Sequence, residues 1–178
     1  MRQQLGCVLY GALLTMAITL PAAAADFVAK MQKVTPDGTG ESIGTIGVSS
    51  VEGSVTFVVD LHGLPPGPHG FHVHENDSCQ PTVVNNVRVP AGAAGGHFDP
   101  NHVGAHAGPH GVGHLGDLPV LEVAADGTAK QTLTAPHIGN AGMLHGHALM
   151  IHSGGDNYSD SPALLGGGGA RIACGVIQ

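Results

Sequence analysis

Apolar and polar positions alternate with a period of two along much of this chain, the pattern of half-buried strands. FVAKMQKV at 27–34, IGTIGVSS at 43–50 and SVTFVVDL at 54–61 carry the Val, Ile and Thr that pleated strands favour. Turn signals at Pro36-Asp37-Gly38 and Glu52-Gly53 divide them. Connections this short allow antiparallel meanders and leave no room for crossover helices. Leu64-Pro65-Pro66-Gly67-Pro68 is a rigid lead into a further strand at 69–75. Within it Phe71 and Val73 alternate with His72 and His74, so the two apolar residues can enter a core while the imidazoles project together from the other face. Strands are also expected at 118–123, 128–135, 147–152 and 170–177, with a short helical turn around 138–146. Residues 76–116 and 153–169 show no strand pattern and read as two long functional loops. Eight strands with two such loops predict an all-β domain, an antiparallel sandwich or a closed eight-stranded Greek-key β-barrel.

The first residues follow another pattern. Arg2 precedes an apolar run from Leu5 to Leu20, and Pro21 leads to Ala23-Ala24-Ala25. The run is short for a membrane span and ends in small residues, as a cleavable signal peptide does. We therefore expect a leader at 1–25, a mature domain at 26–178, and no membrane association after cleavage. Cys7 leaves with the leader, so Cys79 and Cys174 remain. In an oxidising compartment an even pair reads as one disulfide; the other reading is a thiolate metal ligand.

Composition changes the picture in two ways. The formal net charge is -7 with charged residues at 11%, which excludes the basic footprint that nucleic acid or an anionic membrane surface requires. The chain also holds 13 histidines, and histidine is the commonest protein ligand for transition metals. His72 and His74 alone are either half of a metal site or two solvent-facing residues of an edge strand. The first long loop adds His97, His106, His114 and Asp117, three imidazoles and a carboxylate that would suit four-coordinate zinc. The bland reading of that loop is a polar segment without order. His152 ends the strand at 147–152 on the same side as Ala148 and Met150, where it could join His72 and His74.

GFHVHENDSC, GGHFDP, GHLGDLP, GGDNYSD and GGGGARIACGVI, in this order, closely resemble the secreted bacterial type of copper/zinc superoxide dismutase. The resemblance covers essentially the whole mature chain. It implies an eight-stranded Greek-key barrel, copper on His72, His74, His97 and His152, and zinc on His97, His106, His114 and Asp117, with His97 bridging the two metals. It further implies that Asp156 links a copper-binding and a zinc-binding histidine, that Arg171 stands beside the copper, and that Cys79 pairs with Cys174. The implied reaction is dismutation of superoxide to dioxygen and hydrogen peroxide in the periplasm, with Arg171 and His97 as the catalytic groups. A non-enzymatic exported copper/zinc-binding protein on the same fold is the alternative. A copper-only enzyme is a weaker one, because His106, His114 and Asp117 are intact. The resemblance admits a homodimer without requiring it. Relatives commonly carry lysines near the site mouth, whereas beyond Arg88, Lys130 and Arg171 the second half of this chain has no cation. His62, His69, His102, His110, His137, His145 and His147 read as solvent-facing or structural, with His102 and His110 near enough to compete for metal during loading.

Overall fold

The computed structural model describes residues 24–178, so the expected leader lies outside the described residues but for its last two positions. The strands are β1 (Phe27–Thr35), β2 (Gly38–Val51), β3 (Ser54–Leu61), β4 (Gly67–His69) and β5 (Phe71–His74). They continue as β6 (Thr82–Val84), β7 (Val87–Val89), β8 (Leu121–Val123), β9 (Ala129–Ala135), β10 (Ala148–His152) and β11 (Arg171–Val176). Seven form one sheet in the order β5-β10-β11-β1-β2-β3-β9, and β4 pairs with β8. All of these pairings are antiparallel.

Two features close this sheet on itself. Gly70 joins β4 to β5, so those two pieces act as one strand that changes partner from β8 to β10. The Gly70 N–H donates to Gly154 at 2.7 Å, while its carbonyl accepts from His152 at 2.9 Å. On the other side β8 turns directly into β9, with Ala124 N–H donating to the Thr128 carbonyl at 2.8 Å and Gln131 Nε2 to the Glu122 carbonyl at 2.7 Å. Counting β4–β5 once gives eight strands round a barrel. The β3–β4 and β9–β10 connections each skip two neighbours, which is the Greek-key pattern.

The barrel interior is lined by apolar side chains. Met31, Ile46, Phe57, Leu61, Phe71, Leu121 and Leu149 are all at most 1% exposed. Phe57 and Phe71 meet edge to face with ring centroids 5.7 Å apart, an aromatic geometry worth about 1 kcal/mol beyond the area it buries. A second, smaller cluster of Val34, Ala91, Ala94, Ala148, Met150 and Cys174 lies on the opposite face of the sheet, with Cys79 packed against it. Here the Cys79–Cys174 disulfide, bridging 95 residues with Cα atoms 5.7 Å apart, ties the first long loop to β11. Loop-closure entropy gives such a link an upper value of about 4–5 kcal/mol.

One expectation fails. Residues 76–116 are not free of strand: β6 and β7 form a hairpin inside them. Its turn is Asn85-Asn86 with φ of 49° and 62°, two positive φ values that a tight two-residue hairpin needs and asparagine tolerates. Three-residue strands give too short a run for alternation to show. The expected helical turn appears as one 3₁₀ turn at Ala141–Leu144, capped by Asn140, whose Oδ1 accepts from Gly142 N at 2.6 Å.

Candidate metal centre

The strict alternation of β5 places His72 and His74 on the sheet face away from the barrel interior, opposite Met150 and Ala148 of β10. Both imidazoles are nonetheless buried, because two loop segments lie along β5. Phe98 N donates to Val73 O at 2.8 Å, Val73 N to Gly116 O at 2.9 Å, and Gly116 N to Phe98 O at 2.8 Å. These bonds set His97 opposite His74 and Asp117 opposite His72. His97 thus belongs to a loop in sequence and to the sheet in space. His152 ends β10 at a register irregularity opposite Arg171 and comes beside His72, ring centroids 5.0 Å apart.

Each ring is oriented by one nitrogen and leaves the other free. His74 Nδ1 donates to Gly95 O at 3.0 Å and His152 Nδ1 to Gly169 O at 3.2 Å. His72 Nε2 donates to Asp156 Oδ2 at 2.8 Å, and His97 Nδ1 lies 2.9 Å from Asp117 Oδ1. Carbonyl and carboxylate oxygens only accept, so they fix the proton on the near nitrogen and leave a lone pair on the far one. The far atoms are His72 Nδ1, His74 Nε2, His97 Nε2 and His152 Nε2, all buried without a partner. They come from a group whose ligand atoms all lie within 4.8 Å of one another. Buried polar atoms are nearly always paired, so four convergent orphaned lone pairs fit a metal ion. Burial lowers the pKa of His72 and His74, of His97 to about 4 and of His152 to about 3, keeping these rings neutral near pH 7.

The second group gathers on Asp117. His97 Nδ1 and His114 Nδ1 face Asp117 Oδ1 at 2.9 and 3.3 Å, and His106 Nδ1 lies 3.0 Å from Oδ2. His106 Nδ1 has no directed hydrogen bond despite that distance. The ligand atoms of His72, His97, His106 and Asp117 all lie within 4.8 Å of one another, a set that leaves His114 out. Chemistry decides between His72 and His114. Nε2 of His72 is held by Asp156 and its Nδ1 points into the first group, so its one lone pair is already engaged. His114 is therefore the donor left to complete the second group. His97 alone has one nitrogen facing each group.

Asp156 joins the two halves. Its Oδ2 accepts from His72, and its Oδ1 lies 2.8 Å from His106 Nε2. Burial works against charge on these groups, but the hydrogen bonds outweigh it. Asp117 and Asp156 stay well below the ordinary carboxylate range, and His106 is raised to about 9 between the two carboxylates. The first glycine of the four-glycine run in the last loop follows from the same packing. Gly166, at φ +67°, lies so close to Asp156 that a Cβ would collide with the carboxylate.

Arg171 points from β11 toward the first group, with Nη1 donating to Ala91 O at 2.6 Å and Nη2 to Gly95 O. The Gly95 carbonyl therefore serves both Arg171 and His74. Backbone oxygens of this kind carry no signal in a sequence. Asp160 also escaped the sequence reading; it accepts from His106 N at 2.8 Å and Leu165 N at 3.0 Å. His69 is structural, its two ring nitrogens lying 2.6 Å from His152 O and 2.8 Å from Pro65 O. His102 and His110 are exposed and belong to neither group.

A family model described as copper/zinc superoxide dismutase (SODC) matches residues 42–177. Cu-Zn superoxide dismutase 2 of Salmonella typhimurium is 51% identical over 167 residues, 94% of this chain and 96% of that one. The solved Cu/Zn superoxide dismutase from Brucella abortus superposes with a TM-score of 0.83 at 50% identity, covering 85% of this chain and 98% of that one. The solution structure of the monomeric copper, zinc superoxide dismutase from Salmonella enterica gives 0.76 at 53% identity, with the same coverage. The chain belongs to the copper/zinc superoxide dismutase family.

Proposed function

We propose that this protein converts two superoxide anions and two protons into dioxygen and hydrogen peroxide. In this reading His72, His74, His97 and His152 hold copper, while His97, His106, His114 and Asp117 hold zinc. The observation that carries it is the set of four buried, unpartnered imidazole nitrogens beside a half-buried arginine. Bound copper supplies a one-electron couple, and bound zinc supplies fixed positive charge without redox chemistry. Imidazole nitrogens suit a metal that must be held in two oxidation states. Nε2 of His97 is the atom of this chain placed to hold a proton and pass it to reduced oxygen, while its Nδ1, on the Asp117 side, would remain with the zinc set. Arg171 orients the anion. Its guanidinium is locked by two carbonyls, so its charge is pre-placed in a chain that is otherwise acidic. Asp156 holds the His72 and His106 rings in the tautomers their metals need.

The proposal includes removal of residues 1–25 and residence in the periplasm, supported by the apolar run Leu5–Leu20 and by Ala23-Ala24-Ala25. N-terminal sequencing of the exported protein should begin at Asp26. A homodimer is the assembly proposed, and a solution mass of one chain overturns that part. The function is tested on one preparation by metal analysis and superoxide consumption. Equal copper and zinc with rapid consumption is expected; both metals without consumption would identify a metal-binding protein instead.

A further inference from the structure

One donor of the centre differs from its neighbours. The side chains of His72, His97, His106 and Asp117 are at most 1% exposed, whereas that of His114 is 12% exposed. The His114 ring is held by one 3.3 Å contact with Asp117, while two carboxylates at 3.0 and 2.8 Å grip His106. His114 and Asp117 also line a cavity of about 270 Å³. One wall is the glycine-rich turn 108–113, whose own backbone tie is a long 3.4 Å bond from Gly111 N to Gly108 O. The facing wall is Ala135, His137 and Ile138, at and just beyond the end of β9, and the His137 side of it is exposed.

We infer that this cavity is the path by which zinc enters and leaves the loop-borne half of the centre, with His137 as the outer imidazole and His114 as the last donor to close. The inference rests on zinc being held by His97, His106, His114 and Asp117. Stripping a dication of water in one step is costly, and a passage with an imidazole toward its mouth and a carboxylate at its inner end replaces waters in stages. The volume admits the ion with several waters, each occupying about 30 Å³ in the liquid. The opposite approach, over the copper group, is guarded by the Arg171 guanidinium, whose charge repels a cation. His114 is the donor free to swing, since its ring is the least confined of the set.

The test uses the protein loaded with both metals, placed in excess isotopically enriched zinc and followed by mass spectrometry for zinc and copper. Zinc content is read first. Protein without zinc removes the proposed zinc set and the path with it, whereas zinc present with unaltered exchange in the variants removes the path alone. Val112 lines the cavity and is 87% exposed, so Val112→Trp covers the mouth without touching the core. Ala135→Leu fills the cavity from a buried position. Each is expected to slow zinc exchange by about tenfold while copper exchange keeps its wild-type rate. His137→Ala is expected to slow uptake from limiting zinc and leave the final zinc content unchanged. The surface variant keeps the test valid if Ala135→Leu does not fold. Wild-type zinc exchange in Val112→Trp, or equal slowing of copper exchange, overturns the inference.

Discussion

The copper half of the proposed centre stands on strands and the zinc half on loops. His72 and His74 are adjacent outward positions of β5, and His152 ends β10, so ladder register fixes all three before any metal is considered. His106 and His114 come from a stretch without strand, where carboxylates do part of the work of a ladder, and Asp117 closes that stretch in a single bridge to His72. Ala107 N donates to Asp117 Oδ2 at 3.1 Å, His106 N to Asp160 Oδ2 at 2.8 Å, and Gly104 N to Asp99 Oδ2 at 2.8 Å. Three of the loop's backbone donors are thus satisfied by the same kind of group that binds metal, while His114 N donates to Ala105 O at 2.9 Å and Gly116 N to Phe98 O at 2.8 Å. A strand-borne half is positioned by folding, while a loop-borne half is positioned by the charges it will neutralise.

Removing the joint should have the largest effect. His97→Ala takes a donor from both halves, so superoxide consumption should fall by about a thousandfold, with zinc lost as well. Loss of activity with both metals retained would deny His97 its shared place. Asp156→Asn should strike the halves unequally. Zinc affinity is expected to drop by about ten- to a hundredfold and copper affinity by less, because β5 and β10 still hold His72 and His152. Competition with a graded series of chelators reads both. Arg171→Glu should lower the rate of superoxide consumption by about tenfold or more with near-normal metal content; full activity would remove Arg171 from the mechanism.

Cys79→Ser tests the tether. Stability should fall by about 2–5 kcal/mol, read by denaturant unfolding. Arg171 should loosen too, because Ala91 and Gly95, which hold it, lie in the tethered loop. The smallest effect is expected far from both halves. Asn86→Gly in the β6–β7 turn keeps a positive φ that glycine accepts freely, so stability should change by less than about 0.5 kcal/mol with both metal contents unaltered.

The same contrast explains what could be read in advance. Period-two alternation made β1, β2, β3, β5 and β10 legible, and with them the outward pair His72 and His74. It could not find β6 and β7, whose Val83, Val84 and Val87 are exposed and show no inward face. The proposed zinc set was visible as residue types gathered in one loop, and the motifs named the same four residues. The groups that hold the site's residues in place were not, because they are backbone carbonyls and a distant aspartate: Gly95 O at His74, Gly169 O at His152 and Asp160 at the His106 backbone. His97 was named by its motif, but a sequence gives no sign that segments 96–98 and 116–117 lie against β5.

The most direct test is amide hydrogen exchange on the metal-loaded protein before and after both metals are removed by chelation. Amides within Leu149–His152, in a strand paired on both sides, are expected to stay slow in both states, while those of His106 and Ala107, whose acceptors are carboxylates, become fast once the metals are gone. Equal loss of protection in the two sets, or His106 and Ala107 amides that stay slow without metal, would contradict this contrast.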